Sequence, residues 1–295
     1  MDKFIRIISI TKWIGWIGII GNMMYPNRIL RLIGLFILLG LIELFFTFTL
    51  RTFCQAIQQL ASIPYTYLIH NFRLPSYLNY TCKGDYILPF EGKWDVVNGG
   101  IDKAFSHSWS ILTQRYAYDF IILDDEGHSF REEETNPSNY YCYGKNVIAP
   151  ADGEVVQVNS KLPDSKIFGN GRPDYKIRDI RGNFVIIKHF DREYSFIAHI
   201  MPGSILVKKG QKVRQGEVIA QCGNSGNTSE PHVHFHLQDG KSVFSSAGLP
   251  VRFGNIRSGE RESYKSYDPR RMPKASEVYR EKGWLRRGLT VETER

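Results

Sequence analysis

The sequence predicts a mainly β domain, a duplicated-hairpin β-sandwich of the barrel-sandwich kind, preceded by an N-terminal transmembrane helix. Three observations carry this. Residues 32–50 form a nineteen-residue apolar run in which only Glu43 is ionisable, long enough for a helix to cross a bilayer. From Tyr86 onward, short apolar or alternating runs are separated by turns rich in Gly, Pro and Asp, the pattern of strands. Between residues 86 and 245 no long amphipathic helical periodicity appears.

At the N-terminus, residues 13–25 are also apolar but short and rich in Gly and Trp. They fit either an interfacial segment or the first arm of a hairpin together with residues 7–11. Five Lys/Arg precede Leu32, whereas Arg51, Arg73 and Lys83 are the only ones in the next 34 residues after Leu50. With a single span, the positive-inside rule places the N-terminus inside and the rest of the chain outside the cytoplasmic membrane. No small-residue cleavage site stands out, so the segment reads as a retained anchor. The expected organisation is an anchor over residues 1–50, a connector over 51–84, a β domain over 85–250 and a basic tail over 251–295.

Hydrophobic residues make up 42% and charged residues 23% of the chain, ordinary for a folded protein. The net charge of +8 is concentrated at the two ends. Residues 251–295 hold 12 Lys/Arg against 7 Asp/Glu, and such a tail suits an anionic partner. Beside a membrane segment that partner is lipid or an anionic polymer, and no nucleic acid is expected. The tail is low in apolar content from Gly254 on, so partial disorder is expected there. Cys54, Cys82, Cys142 and Cys222 show no C-x-x-C spacing, which excludes a thiolate zinc site and a dense disulfide framework.

Within the β domain, residues 147–158 read as strand, Pro-Ala-Asp-Gly turn and strand. Residues 183–190 and 193–199 flank the two-residue connection Asp191-Arg192, a hairpin pattern. Residues 209–220 give a turn and strand, and residues 232–238 a last, strictly alternating strand. Residues 124–143 and 159–182 are polar and read as long loops of the kind that borders a binding groove.

The chemistry concentrates at the last strand. In Pro231-His232-Val233-His234-Phe235-His236 the three histidines share one face at a spacing of roughly 6.5 Å. Asp119 lies among the apolar residues of Tyr118-Asp119-Phe120-Ile121, where a carboxylate needs a cation or metal as partner. A catalytic zinc ion draws about three protein ligands and keeps a position for water. Asp119 and His234 supply two. The third is expected from His107, the nearest histidine upstream of Asp119, with His128 as the alternative. His199, at the end of its hairpin strand, is expected on the water side of the metal. His189 reads as structural, and His236 is expected at the edge of the site with no catalytic role.

Four further motifs complete a family pattern: Ala149-Pro150-Ala151-Asp152-Gly153; Tyr194 to His199; Gly210 to Ile219; and Gly223-Asn224-Ser225-Gly226 followed by Pro231-His232-Val233-His234. In this order the sequence resembles the lysostaphin/LytM-type zinc endopeptidases, from about Tyr86 to Gln238. The resemblance implies zinc ligation by Asp119 and His234. It implies action of His199 and His232 on the water or transition state, and hydrolysis of peptide bonds in cell-wall peptidoglycan. The family's H-x-x-x-D motif is altered, because Arg115 stands four residues before Asp119 and a guanidinium does not bind zinc. His107 is therefore assigned by function and not by spacing. Two rival readings are a non-catalytic relative that binds wall or regulates another hydrolase, and a lipoyl-type carrier module. The carrier lacks a lysine at a tight hairpin tip.

Overall fold

The computed structural model describes residues 2–40 and 50–294. They form two compact units: residues 2–40 and 50–54 with Tyr175–Arg178, and residues 55–174 with residues 179–294.

The first unit contains helix α1 (Asp2–Met24), helix α2 (Arg28–Gly34) and the 3-10 turn Leu35–Leu38. Asn27 caps α2 by accepting a hydrogen bond from Ile29 N at 2.8 Å, which satisfies one of the amides left open at a helix start. The helices cross at small residues. A Cβ on Gly18 would sit 2.2 Å from Gly34 N, so glycine is what lets the backbones touch. Residues 13–25, read as an interfacial segment or a hairpin arm, fall almost wholly within α1, which packs against α2. Among the described residues no helix is long and apolar enough to cross a membrane. The expected span, residues 32–50, includes residues 41–49, which lie outside the described residues.

The second unit is mainly antiparallel β, as expected. Its strands are β1 (Lys93–Asn98), β2 (Tyr118–Ile121), β3 (Asn146–Ile148), β4 (Gly153–Asn159), β5 (Phe184–Phe190), β6 (Glu193–Ala198), β7 (Lys212–Val213), β8 (Val218–Gln221), β9 (Val233–Gln238), β10 (Gly248–Leu249), β11 (Ile256–Glu260) and β12 (Leu289–Thr293). Among the described residues the main sheet runs β11-β12-β1-β2-β9-β6-β5-β4-β7, with β10 paired to β9. β3 and β8 form a separate two-stranded layer. Val147, Ile219 and Ala220 from that layer join Val155, Val185, Ile187 and Phe235 of the sheet in one buried core. Apolar residues on alternate strand positions thus close two layers over each other. Phe90 stacks on Trp94 with ring centroids 4.4 Å apart and meets Phe120 edge-on at 4.8 Å, closing one end.

Two stretches differ from the sequence reading. Residues read as a connector include a twenty-residue helix, α3 (Leu50–Ile69). Ser62 Oγ donates to Phe244 O, Thr66 Oγ1 to Ser245 O at 3.4 Å, and His70 Nε2 meets Asp239 Oδ2 at 2.7 Å. The basic tail is also structured. β12 lies between β11 and β1 in the sheet, and Leu285 and Val291 are fully buried. Val251, Phe253, Ile256, Leu285, Leu289 and Val291 of the tail are buried in the core, so low apolar content did not mean absence of a core contribution.

A candidate metal centre

The central pair is set by strand register. Asp119 on β2 stands directly opposite His234 on β9, where cross-strand side chains share a face. His234 Nδ1 lies 2.8 Å from Asp119 Oδ1. On its other side β9 pairs with β6, with Ala198 opposite His234. His199, the residue after β6, is thereby brought beside the pair. Its ring lies 4.6 Å from that of His232 and 5.6 Å from that of His234.

His107 reaches the same place from a loop. Its Nε2 lies 3.4 Å from Asp119 Oδ2. The loop doubles back through Ser106, whose Oγ donates to Arg115 O at 2.8 Å and accepts from Ser108 N at 3.2 Å. Arg115 points away from the site. Its Nε donates to Trp109 O at 3.2 Å and its guanidinium lies 4.8 Å from the Trp109 ring centroid. The ligand atoms of His107, Asp119 and His234 all lie within 4.8 Å of one another, and so do those of His199, His232 and His234. His128 belongs to neither group. Its side chain is 56% exposed and meets Asp124 and Glu126 at 3.6 Å.

Hydrogen bonds define which ring nitrogens carry protons. Gln238 Nε2 donates to Gly240 O at 2.6 Å, so Gln238 Oε1 faces His236 Nε2, 2.8 Å away. His236 Nε2 is therefore a donor, which leaves its Nδ1 as an acceptor. That nitrogen lies 3.1 Å from His234 Nε2, which must then carry the proton. A neutral His234 thus presents a bare Nδ1 toward Asp119. The 2.8 Å contact between Nδ1 and a carboxylate oxygen needs a cation between them, a proton or a metal. This donor set, one carboxylate and two imidazoles, suits zinc. His236 is completely buried and tilted against Phe196 at 4.9 Å. The expectation that it sits at the edge is corrected: it lies behind His234 and sets its tautomer.

The two remaining imidazoles are fixed similarly. His199 Nδ1 donates to Ser225 O at 2.7 Å and His232 Nδ1 to Glu230 O at 2.8 Å. Both therefore offer Nε2 as a base. His199 holds a left-handed backbone, φ +63°, a strained state for a non-glycine residue. Gly182 makes room for its partner, because a Cβ there would come 2.1 Å from Ser225 O.

Burial and neighbours set the charges. Burial pushes the His107 imidazole below its ordinary range, and Asp119 only partly restores it. Burial, then the imidazoles of His232 and His234, holds His199 far down. Burial and His234 bring His236 to about 3. For Asp119, burial works upward, but the imidazoles of His107, His232 and His234 around it outweigh it and hold the carboxyl well below the carboxylate range. The centre is an ionised carboxylate surrounded by imidazoles of which three are held neutral.

A groove of about 290 Å³ opens over this centre, between Gln59 of α3, Arg181, Phe196 and Tyr267. Pro173, Ile180 and Arg181 of the loop at residues 159–182 line it, as expected, whereas no residue of the loop at 124–143 does. Two functional candidates escaped sequence reasoning. Glu230 is half-buried, and loss of solvent raises its carboxyl above the ordinary range against the hydrogen bonds from Tyr267 and Ser129. Ser129 Oγ donates to Glu230 Oε2 at 2.7 Å, and Tyr267 Oη donates to Glu230 Oε1. Tyr267 comes from the tail, where nothing local in the sequence marks it.

Comparison with known proteins bears on the same region. Residues 140–245 match the model of Peptidase family M23. This segment includes His199, His232 and His234, whereas His107 and Asp119 lie before it. An "Uncharacterized metalloprotease" of Haemophilus influenzae is 34% identical over 124 residues, 41% of this chain and 22% of that protein. The "Murein hydrolase activator NlpD" of Escherichia coli is 37% identical over 110 residues, 37% of this chain and 24% of that protein. The matched region thus spans a quarter or less of these two relatives. The "Lipoprotein NlpD" of Yersinia enterocolitica is 34% identical over 110 residues, 37% of this chain and 94% of that protein. On this evidence the chain belongs to peptidase family M23.

Proposed function

We propose that this chain is a zinc-dependent endopeptidase of the cell envelope. Its substrate is a peptide bond in the stem or cross-bridge peptides of peptidoglycan. Residues 1–50 anchor it in the cytoplasmic membrane with the β domain outside. The observation that carries the reading is the convergence of His107, Asp119 and His234 within 4.8 Å, beside two imidazoles whose Nδ1 protons are committed to main-chain carbonyls. The substrate class is supported by the murein-related name of the E. coli relative and the envelope location by the lipoprotein name of the Yersinia one.

His107, Asp119 and His234 would hold the ion. Bound there, zinc supplies Lewis acidity and makes water acidic enough to ionise near neutral pH. The groove orients the peptide so that its carbonyl carbon faces the attacking water. Nε2 of His199 or His232 takes the proton from that water and returns it to the nitrogen of the leaving amine. The Asn98 amide, whose Nδ2 donates to Asp119 Oδ2 at 3.0 Å, keeps the carboxylate turned toward the histidines.

A second reading is favoured by the name of the E. coli relative: a scaffold that activates another murein hydrolase. The two separate in one experiment. Full-length protein is incubated with purified peptidoglycan and the soluble products are read by mass spectrometry for newly freed amines. The enzyme reading predicts cleavage by the chain alone, abolished by a zinc chelator. Products that appear only when a separate amidase is added would replace it with the scaffold.

A further inference from the structure

Helix α3 is amphipathic, but in the sense opposite to that of a helix resting on a protein core. Its inward face is polar. Gln55, Gln59, Ser62, Thr66 and His70 follow one another at helical spacing, and none of these five is exposed. Gln55 Oε1 accepts from Ile180 N at 3.0 Å, and Ser62, Thr66 and His70 bond residues 239–245 as described. Its outward face is apolar. Ile57, Leu60, Ala61, Pro64 and Leu68 are all exposed, with Leu60 at 63% and Leu68 at 62%. An apolar face of this extent, turned to solvent while polar groups are spent on the docking side, marks an interaction surface.

We infer that this face binds the membrane, lying in the headgroup layer of an anionic bilayer. The inference rests on reading residues 1–50 as an anchor. Three observations select lipid as the occupant. First, no Asp or Glu occurs from Leu44 to Gly84, whereas Arg51, Arg73 and Lys83 do; an acid-free helix with basic flanks suits anionic headgroups. Second, Tyr65 and Phe72 are exposed along the same segment, the aromatic type favoured at a membrane interface. Third, Pro64 lies inside the helix on the apolar face. It lacks the N–H that would take the Leu60 carbonyl, and that acceptor finds water at headgroup depth but not in hydrocarbon. The apolar run at residues 32–50 leads directly into α3 in the sequence, so the helix begins where the anchor ends. Because Gln59, on the inward face, lines the metal groove, the groove stands roughly one helix diameter, about 10–12 Å, from the headgroups. The peptide taken would be the membrane-proximal one.

The test uses the full-length chain with Cys54 and Cys82 changed to Ser, which leaves the buried Cys142 and Cys222. Single cysteines are introduced as Leu38→Cys, Leu60→Cys, Leu68→Cys and Lys209→Cys and labelled with a small fluorophore. The protein is reconstituted in phosphatidylethanolamine/phosphatidylglycerol vesicles carrying lipids with a nitroxide either near the headgroup or deep in the acyl chain. Quenching at positions 60 and 68 by the shallow nitroxide, several-fold above that at Lys209, is the expected result. Position 38 should be quenched by the deep one. Quenching at 38 with none at 60 and 68 overturns the inference and leaves the anchor standing; disulfide formation between Leu60→Cys chains in that case assigns the face to a second copy. No quenching at 38 or 60 overturns both. Equal quenching in phosphatidylcholine-only vesicles overturns the role given to anionic charge.

Discussion

His236 shows how a residue without a ligand's position acquires a ligand's importance. It accepts the proton-bearing side of His234 and hands its own N–H to Gln238, so the lone pair of His234 Nδ1 faces the carboxylate. Such partners typically change metal affinity by about 10–100-fold. His236→Ala and Gln238→Leu are each expected to weaken zinc binding by that order while the fold is kept; competition with a chromogenic chelator measures it, and unchanged affinity would dismiss the tautomer argument. His232→Ala is expected to keep zinc and lose at least about 100-fold in kcat, as a general base should. Asp119, His232 and His234 were legible because strand alternation fixes faces. His107 was legible only by chemical need, since its approach depends on a loop folding back through Ser106 and Arg115. Glu230 and Tyr267 were not legible, because what brings them together is a contact across 37 residues.

At the scale of elements, the tail gives the sharpest prediction. β12 is an interior strand, and Leu285 is wholly buried. Leu285→Ala should cost about 2–5 kcal/mol, and deletion from Gly254 onward should abolish a cooperative thermal transition; a truncated chain that still melts cooperatively would contradict the sheet. The hairpin β5–β6 makes a pH prediction. His189 Nδ1 donates to Asp152 O and its Nε2 accepts from Ser195 Oγ, both at 2.8 Å, and burial lowers its pKa. Below the unfolded value of about 6.5 the unfolded chain binds more protons there than the folded one. Stability should therefore fall as pH drops from about 6.5, with His189 contributing at most about 1.4 kcal/mol per pH unit. Urea unfolding of His189→Gln should show a shallower acid slope, and an identical slope would remove His189 from the account. The strands flanking Asp191-Arg192 and the Pro-Ala-Asp-Gly turn were plain in the sequence because turn chemistry is local. The structured tail was not, because it borrows its core from residues far away in the chain.

For the whole molecule, the family segment supplies His199, His232 and His234, and strand β2 with its preceding loop supplies Asp119 and His107. The candidate metal ligands come together only when both parts are present, and family membership by itself leaves enzyme and activator as alternatives. The central claim is that His107 completes the centre. It is tested most directly by elemental analysis of zinc in the purified full-length chain, wild type against His107→Ala, with circular dichroism to show that both are folded. The account predicts about one zinc per wild-type chain and loss of it in the variant. Zinc retained by His107→Ala, or absent from the wild type after reconstitution, would contradict it.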